Sequence, residues 1–221
     1  MRISNATVLI RMATKIIKVY RPGDLSGAAS QAAGVILSGG MVAIPTESFY
    51  GLAVDAANEM AIKRLLHVKK RRETHPILIL IASTDVLEGL VKDMPRIAWK
   101  IIDAFWPGGL TLVFKAGHRV SPLLTGGTDK IGIRLSSHPV PTELARTAGV
   151  PITGTSANIS GQPPCKDAND VLISLGGEID LILDGGKTAG GKGSTVLDVT
   201  VEPPVILREG MVAHDLLVSF L

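Results

Sequence analysis

Several short segments of this sequence carry charged or hydroxyl side chains where packing alone would not require them. In the first, Thr46, Glu47 and Ser48 directly follow an apolar run typical of a buried strand. Loops at strand ends in α/β proteins commonly bind ligands. The alternative is a capped turn into a helix, with Tyr50 packed in the core. This segment is therefore a candidate binding site for a small polar ligand.

The second candidate segment contains Lys69, Lys70 and Arg71 at the end of a predicted amphipathic helix. Ile62 and Leu66 recur at helical spacing and belong to its buried stripe. Lys69 lies three residues beyond Leu66, so we expect it to leave the helix on the inward side. Two cations spaced by two residues can hold a carboxylate and a phosphate together. The alternative is a solvated charge run that complements the helix dipole.

The third segment, Thr153–Gly161, concentrates hydroxyl and amide side chains in one loop, among them Ser156 and Asn158. Such groups are neutral donors and acceptors suited to phosphate or carbamate oxygens. The alternative is an ordinary turn rich in serine and asparagine. The sequence leaves both interpretations open at this point.

The fourth candidate combines two nearby stretches, one with Ser194 and one with Arg208, which ends a predicted strand. An arginine at a strand end can present a fixed guanidinium to an anion. The glycine-rich stretch Gly185–Gly193 contains Lys187 and Lys192 and is predicted to be a mobile loop on the phosphate side. As an alternative, Arg208 could pair with a surface acid.

Common catalytic motifs are missing from the sequence. It contains neither a phosphate-binding Walker loop nor a dinucleotide-binding glycine motif, and it has no nucleophile elbow or His/Cys metal pattern. Its acids are not paired in a way that indicates hydrolysis of a glycoside. The remaining cations and hydroxyls favour a reaction driven by positioning and charge stabilisation, as phosphoryl and nucleotidyl transfer are.

The elements that must position these segments alternate along the chain. The predicted strands are Lys15–Tyr20, Met41–Pro45, Ile77–Ala82, Leu110–Lys115, Ile131–Leu135, Val150–Thr153, Leu181–Asp184, Thr195–Thr200 and Val205–Arg208. The predicted helices are Leu25–Ser38, Glu59–Lys70, Val86–Val91, Pro95–Phe105, Pro141–Ala148 and Ala168–Leu175. Because the last strands follow each other without a helix, the order predicts a mixed α/β sheet with flanking helices.

The composition limits the class of protein. The chain has 221 residues, 46% of them hydrophobic, which fits one domain with a well-filled core. A lone cysteine, Cys165, is interpreted as a surface-loop residue and favours a cytoplasmic protein. No apolar run is long enough to span a membrane. The pI of about 9.1 leaves RNA or ribosome binding as an alternative function, although aromatics for base stacking are only 4%.

Taken in order, these segments resemble the motifs of the YrdC/TsaC family across about residues 15–212. The matching stretches are Pro45–Leu52 for P-T-E-T-x-Y-G-L, Lys69–Arg71 for K-x-R, Arg134 for the strand arginine, Ser156–Asn158 for S-x-N, Ser194–Val196 for S-T-V and Arg208–Gly210 for R-x-G. The resemblance implies a twisted, mixed α/β sheet with flanking helices around a concave basic cavity. It also implies a catalytic domain over 15–212, which leaves 213–221 as a C-terminal tail. Residues 1–14 carry two arginines around a short apolar patch and are predicted to be a disordered leader, or to precede a true start at Met12.

The resemblance further implies an L-threonylcarbamoyladenylate synthase, a nucleotidyltransferase. Such an enzyme makes threonylcarbamoyl-AMP and pyrophosphate from L-threonine, bicarbonate and ATP, with Mg²⁺ on the nucleotide and no metal ligand from protein side chains. The expected partner is the tRNA threonylcarbamoyl transferase machinery, with direct tRNA binding as a further option. The resemblance assigns threonine binding to Thr46, Arg134 and Ser194, and ATP binding to Lys69, Arg71, Ser156, Asn158 and Arg208.

Within that second set, Lys69, Arg71, Ser156 and Asn158 are the predicted catalytic residues. Replacing Lys69 by Ala is expected to abolish activity with little change in the thermal midpoint. The chain departs from the family pattern at three positions. Arg72 stands where the family often has proline, Leu80 where some members have histidine, and Pro164 where many have serine.

Overall fold

The computed structural model describes residues 13–221, whose strands form two mixed sheets. The strands are β1 (Lys15–Lys18), β2 (Val42–Pro45), β3 (Tyr50–Ala53), β4 (Ile79–Leu80), β5 (Leu110–Lys115), β6 (Lys130–Arg134), β7 (Ile152–Thr153), β8 (Thr155–Ser156), β9 (Leu181–Asp184), β10 (Thr195–Asp198) and β11 (Val205–Arg208). The five-stranded sheet has the order β1-β9-β2-β3-β8, and the six-stranded sheet has the order β11-β10-β5-β6-β4-β7. The predicted mixed α/β fold is confirmed, with the strands divided between two sheets.

The helices are α1 (Leu25–Leu37), α2 (Glu59–Val68), α3 (Leu87–Leu90), α4 (Arg96–Phe105), α5 (Pro122–Thr125), α6 (Pro139–Ala148), α7 (Ala168–Leu175) and α8 (His214–Val218). The longer helices match the predicted ones closely. The short helices α5 and α8 were not predicted, because four or five residues are too few to establish an apolar period. Helix α2 is capped at its start by Asn58, whose side chain accepts a hydrogen bond from the Ala61 amide.

The hairpin formed by β2 and β3 differs from the sequence prediction. The segment after Pro45 was predicted to be a loop, but Tyr50–Ala53 forms a buried strand that pairs antiparallel with β2. The hydroxyl of Thr46 donates to the carbonyl of Phe49 at 2.7 Å and closes the turn. Polar side chains thus occupy a tight turn between two buried strands, which places them at the edge of the sheet.

The six-stranded sheet confirms the predicted strand-turn-strand ending. Strand β10 pairs parallel with β5 and antiparallel with β11. Strand β6 lies on the other side of β5 and pairs antiparallel with it, with Leu112 opposite Ile133. The ends of β6 and β11 carry Arg134 and Arg208, so this sheet brings together two of the predicted site residues.

One hydrophobic cluster joins the two sheets. It contains Leu52 of β3, Leu65 of α2, Ile133 of β6 and Leu197 of β10, all fully buried. A second cluster packs α1 and α6 against the outer side of β2, around Ile36 and Leu144. Both sheets therefore share one core, and their relative position is set by packing.

In the part of the chain that the structure describes, residues of both the predicted leader and the predicted tail contact the rest of the domain. Residues 1–12, with Met1 and Met12, lie outside it. The Thr14 hydroxyl donates to the carbonyl of Ile179 at 2.8 Å. In the segment 213–221, Leu217 is buried and the Phe220 ring packs edge-on against Phe105 at 4.9 Å. Between residues 13 and 221, none of the helices has the length and apolar character needed to cross a bilayer.

Candidate functional site

A cavity of about 640 Å³ lies between the two sheets and receives side chains from both. Six of the eight predicted site residues line it, namely Thr46, Arg71, Arg134, Ser156, Ser194 and Arg208. They come from distant stretches of chain, as predicted. The floor is formed largely by small or apolar residues of the six-stranded sheet, among them Val113, Gly132 and Val196. The cavity therefore combines an apolar floor with cationic and hydroxyl groups around it.

Arg134 ends β6 and is held in place by two neighbours. Its Nε donates to the carbonyl of Gly108 at 2.8 Å, and its Nη2 forms an ion pair with Glu47. Only 5% of the residue is exposed. Because Arg134 also lines the cavity, its guanidinium is a candidate donor to a ligand there.

Glu47 was not among the predicted site residues, yet it accepts more hydrogen bonds than its neighbours in the turn. Besides pairing with Arg134, it accepts from the hydroxyls of Ser136 at 2.8 Å and Ser137 at 2.9 Å, and from the amide of His138. Burial raises the pKa of the Glu47 carboxyl. The Arg134 guanidinium and the two serine hydroxyls lower that pKa more strongly, to about 2, so the carboxylate is ionised at neutral pH.

The end of α2 explains how Arg71 reaches the cavity. The amide of Lys70 donates to the carbonyl of His67 at 3.0 Å, and the amide of Arg71 donates to the carbonyl of Leu66 at 2.9 Å. Lys70 adopts a left-handed conformation with φ of 50°. These features form a Schellman motif, which reverses the chain at a helix end. After the reversal, the Arg71 Nη2 donates to the carbonyl of Pro76 at 2.7 Å, and the side chain lines the cavity.

The structure places Lys69 and Asn158 behind the cavity wall instead of in its lining. The Lys69 amine donates to the carbonyls of Ser156 and Asn158, the second at 2.7 Å, and the residue is 1% exposed. The Asn158 amide nitrogen donates to the carbonyls of Ile159 and Gln162. In this conformation, both residues support the loop that carries Ser156. Lys69 does point inward, as predicted from the α2 stripe.

The surroundings of the Lys69 amine lower its pKa. Burial, and then repulsion by the Arg71 guanidinium, lower the pKa of Lys69 to about 7. The Asn158 Oδ1 atom is buried without a hydrogen-bond partner among the described residues. Cys165 lies close enough to Lys69 for the two to interact electrostatically. Its interpretation as a surface-loop residue is wrong, because only 4% of it is exposed.

Arg208 of β11 and Ser194, which directly precedes β10, also line the cavity. The Arg208 Nη2 donates to the Ser194 carbonyl at 2.8 Å and to its hydroxyl at 3.2 Å, and that hydroxyl lies 2.8 Å from the Thr111 hydroxyl. Burial, and then the nearby Arg134 cation, lower the pKa of Arg208. The two guanidiniums therefore act on the same part of the cavity, where an anion would reduce their repulsion.

The stretch Gly185–Gly193 contacts the turn that contains Thr46. The Tyr50 hydroxyl donates to the carbonyl of Gly186 at 2.8 Å, and the Gly190 amide donates to the carbonyl of Ser48 at 2.7 Å. Of this stretch, only Gly193 lines the cavity. Its mobility stays a prediction.

Lys130 and Asp198 form an ion pair at 2.7 Å in the cavity lining, and sequence reasoning missed it. Asp198 also accepts from the Thr200 hydroxyl at 2.6 Å. The two residues are 68 positions apart, and only strand pairing through β5 brings them together.

Among the three departures from the family pattern, Leu80 lies in the lining, whereas Arg72 and Pro164 do not.

This chain is similar to known proteins of one family, both in sequence and in fold. The sequence matches the Sua5/YciO/YrdC family model, described as telomere recombination, over residues 34–210. A threonylcarbamoyl-AMP synthase of Pyrococcus abyssi is 43% identical over 179 residues, which cover 81% of this chain and 53% of that protein. A putative threonylcarbamoyl-AMP synthase of Mycobacterium tuberculosis is 37% identical, over 88% of this chain and 89% of that protein.

A solved structure of P. abyssi Sua5 complexed with L-threonine superposes with a TM-score of 0.91 at 39% identity, covering 94% of this chain and 61% of that one. The chain spans about half the length of the first curated relatives it matches. The family match extends across every strand except β1 and includes all the residues that line the cavity. The chain belongs to the Sua5/YciO/YrdC family.

Proposed function

We propose that this chain is an L-threonylcarbamoyladenylate synthase, which joins L-threonine, bicarbonate and ATP into threonylcarbamoyl-AMP and pyrophosphate. One observation carries the proposal, namely that side chains assigned to threonine and to ATP line the same cavity of about 640 Å³. The names of the relatives and the threonine complex of P. abyssi Sua5 support the same activity. The carboxylate, the carbamate and the phosphates are all anionic, so a cavity that holds them needs several cations.

In the proposed arrangement, two sets of side chains in the one cavity hold the two substrates. Arg134, with the hydroxyls of Thr46 and Ser194, binds threonine and orients its amine for carbamate formation. Arg71 and Arg208, with the Ser156 hydroxyl, bind the ATP phosphates and stabilise charge that develops at the α-phosphate. Lys69 and Asn158 keep the Ser156 loop in place, through their contacts with its carbonyls. Direct contact of Lys69 and Asn158 with ATP requires that this loop rearrange.

Mg²⁺ is proposed to enter with ATP as the metal–nucleotide complex. Across residues 13–221, no group of three or more His, Cys, Asp or Glu side chains is placed to hold a metal. Asp198 in the cavity lining and Glu47 next to it are each already paired with a cation, Asp198 with Lys130 and Glu47 with Arg134. The phosphates and water are therefore the fitting ligands, and the ion would neutralise charge on the nucleotide.

The proposed partner is the tRNA threonylcarbamoyl transferase machinery, which would take up the threonylcarbamoyl group. Direct tRNA contact rests on the mildly basic pI of about 9.1. The alternative of an RNA or ribosome factor that uses this cavity is not favoured, because the relatives are named as synthases. A cytoplasmic location stays a prediction.

Calorimetric titration of threonine and ATP, separately and together, tests the proposal. We expect each ligand to bind, and threonine to bind in the presence of ATP, because one cavity has to hold both. Arg208→Gln should weaken ATP binding, whereas Arg146→Gln, in an exposed ion pair on α6, should not. If the two ligands excluded each other, or if neither bound, the proposal would be wrong.

A further inference from the structure

Glu47 connects the two walls of the cavity. It lies in the turn between β2 and β3 of the five-stranded sheet, whereas Arg134 ends β6 of the six-stranded sheet. Its carboxylate binds Arg134 through one oxygen, while the other oxygen accepts from the residues that follow β6, Ser136, Ser137 and His138. This one side chain therefore ties the hairpin turn to the junction between β6 and α6.

The contacts of Arg134 leave a defined part of its guanidinium for a ligand. Nε is bound to the carbonyl of Gly108, and Nη2 is bound to Glu47. Among the described residues, no hydrogen bond from Nη1 is seen, and Arg134 lines the cavity. Glu47 itself is not among the residues that line the cavity. A carboxylate in the cavity would therefore meet a guanidinium whose orientation is already set by these two contacts.

We infer that Glu47 is a positioning residue for substrate binding, which holds Arg134 in the orientation that receives the threonine carboxylate. This inference rests on the proposed function. Arginine recognises a carboxylate through a planar fork of donors, so its orientation decides how well the two groups match. A free Arg134 side chain would have to lose rotamer freedom when the ligand binds, which weakens binding. Glu47 removes that cost before the substrate arrives.

The variant Glu47→Gln tests the role with minimal change in shape. A glutamine side chain has one acceptor oxygen and one amide donor group. If its oxygen faces the donors of Ser136 and Ser137, its amide group faces the Nη2 donor of Arg134. The two donors repel each other, and Arg134 loses its anchor. The matched control is Glu143→Gln, which makes the same chemical change in the exposed ion pair with Arg146 on α6.

We expect Glu47→Gln to raise the threonine Kd by about tenfold or more, equivalent to roughly 1.4 kcal/mol, while the ATP Kd changes by less than about twofold. The control should leave both constants unchanged. In steady-state assays, Glu47→Gln should likewise raise the KM for threonine and leave the KM for ATP unchanged. An unaltered threonine Kd would overturn the inference, and so would equal weakening of both ligands, since that pattern indicates a structural role.

A second variant covers the case in which Glu47→Gln does not fold. Glu47→Asp keeps the charge but shortens the side chain by one methylene, so it cannot reach Arg134 and the serine hydroxyls together. We expect a threonine Kd raised by about threefold or more, again with ATP binding intact. If this variant bound threonine like the wild type, the inference would fail. A wild-type protein that bound no threonine would overturn the proposed function as well, which distinguishes the two outcomes.

Discussion

At the scale of single residues, Lys69 illustrates what a buried cation can do in this fold. Its place after the apolar stripe of α2 predicted an inward side chain, which the structure confirms. Its partners, the carbonyls of Ser156 and Asn158, lie 87 and 89 positions away. Because the amine supports the Ser156 loop, loss of Lys69 should affect stability as well as activity.

The variant Lys69→Met tests this structural contribution. Methionine keeps the volume but leaves the two carbonyls without a donor, so the free energy of unfolding should fall by about 1–3 kcal/mol. Lys63→Met, at an exposed position of the same helix, should change it by less than about 0.5 kcal/mol. Chemical denaturation measures both. If Lys69→Met were as stable as the wild type, the structural role would be contradicted. The thermal midpoint would then be insensitive to loss of Lys69, as the sequence alone predicts.

The pH dependence of stability provides a second test of Lys69. Burial and Arg71 lower its pKa to about 7 in the folded state, from an ordinary value of 10.5. Between these values the unfolded chain binds more protons than the folded one, so stability contributed by this group rises with pH. Relative to Lys69→Met, the wild type should therefore gain stability from pH 7 to pH 10. A constant difference over that range would show that the pKa is not lowered.

At the scale of elements, the end of α2 determines where two cations go. The Schellman motif places Lys70 in the left-handed region, which costs an L side chain roughly 1–2 kcal/mol. Lys69 keeps a helical conformation and contacts the Ser156 loop, and the reversal at Lys70 then directs Arg71 into the cavity. The geometry of the K-x-R motif therefore depends on how the helix ends as well as on its two outer residues.

Lys70→Gly should stabilise the protein, because glycine adopts this conformation without a steric cost. We expect the free energy of unfolding to rise by roughly 0.5–1 kcal/mol, with ligand binding retained. Lys63→Gly, in the interior of α2, should lower it by about 1 kcal/mol. Thermal and chemical unfolding of both variants measure the difference. A loss of stability in Lys70→Gly would mean that the Lys70 side chain itself makes a stabilising contact.

Elements with a clear period were predictable from the sequence, and elements built from functional residues were not. The stripe of α2 and the apolar strand Leu110–Lys115 were found close to their true bounds. The strands Tyr50–Ala53 and Thr155–Ser156 were missed, since both lie within motifs interpreted as loops. Glu47 and the pair of Lys130 and Asp198 were missed as well, because their roles depend on long-range pairing that no local pattern reveals.

At the scale of the whole molecule, both sheets are packed on one hydrophobic cluster that includes Leu65, Ile133 and Leu197. The second cluster also contains residues of both sheets, such as Ile44 of β2 and Ile152 of β7, so neither sheet has a core of its own in the described part of the chain. Glu47 adds an ionic tie between the walls near the predicted threonine site. The distance between the groups that bind the two substrates is thus a property of the entire fold.

Such a shared core predicts a single cooperative unfolding transition. The calorimetric enthalpy should equal the van't Hoff enthalpy, as it does for two-state domains. Saturating ATP and threonine together should raise the midpoint more than either ligand alone, because each binds only the folded state. Two separate transitions would show that the sheets unfold independently.

Pyrophosphate release from ATP is the reaction that defines the proposed synthase activity. We expect release that requires both L-threonine and bicarbonate, and that is lost when either one is omitted. Pyrophosphate release that is independent of threonine, or no release with all three substrates and Mg²⁺ present, would contradict it.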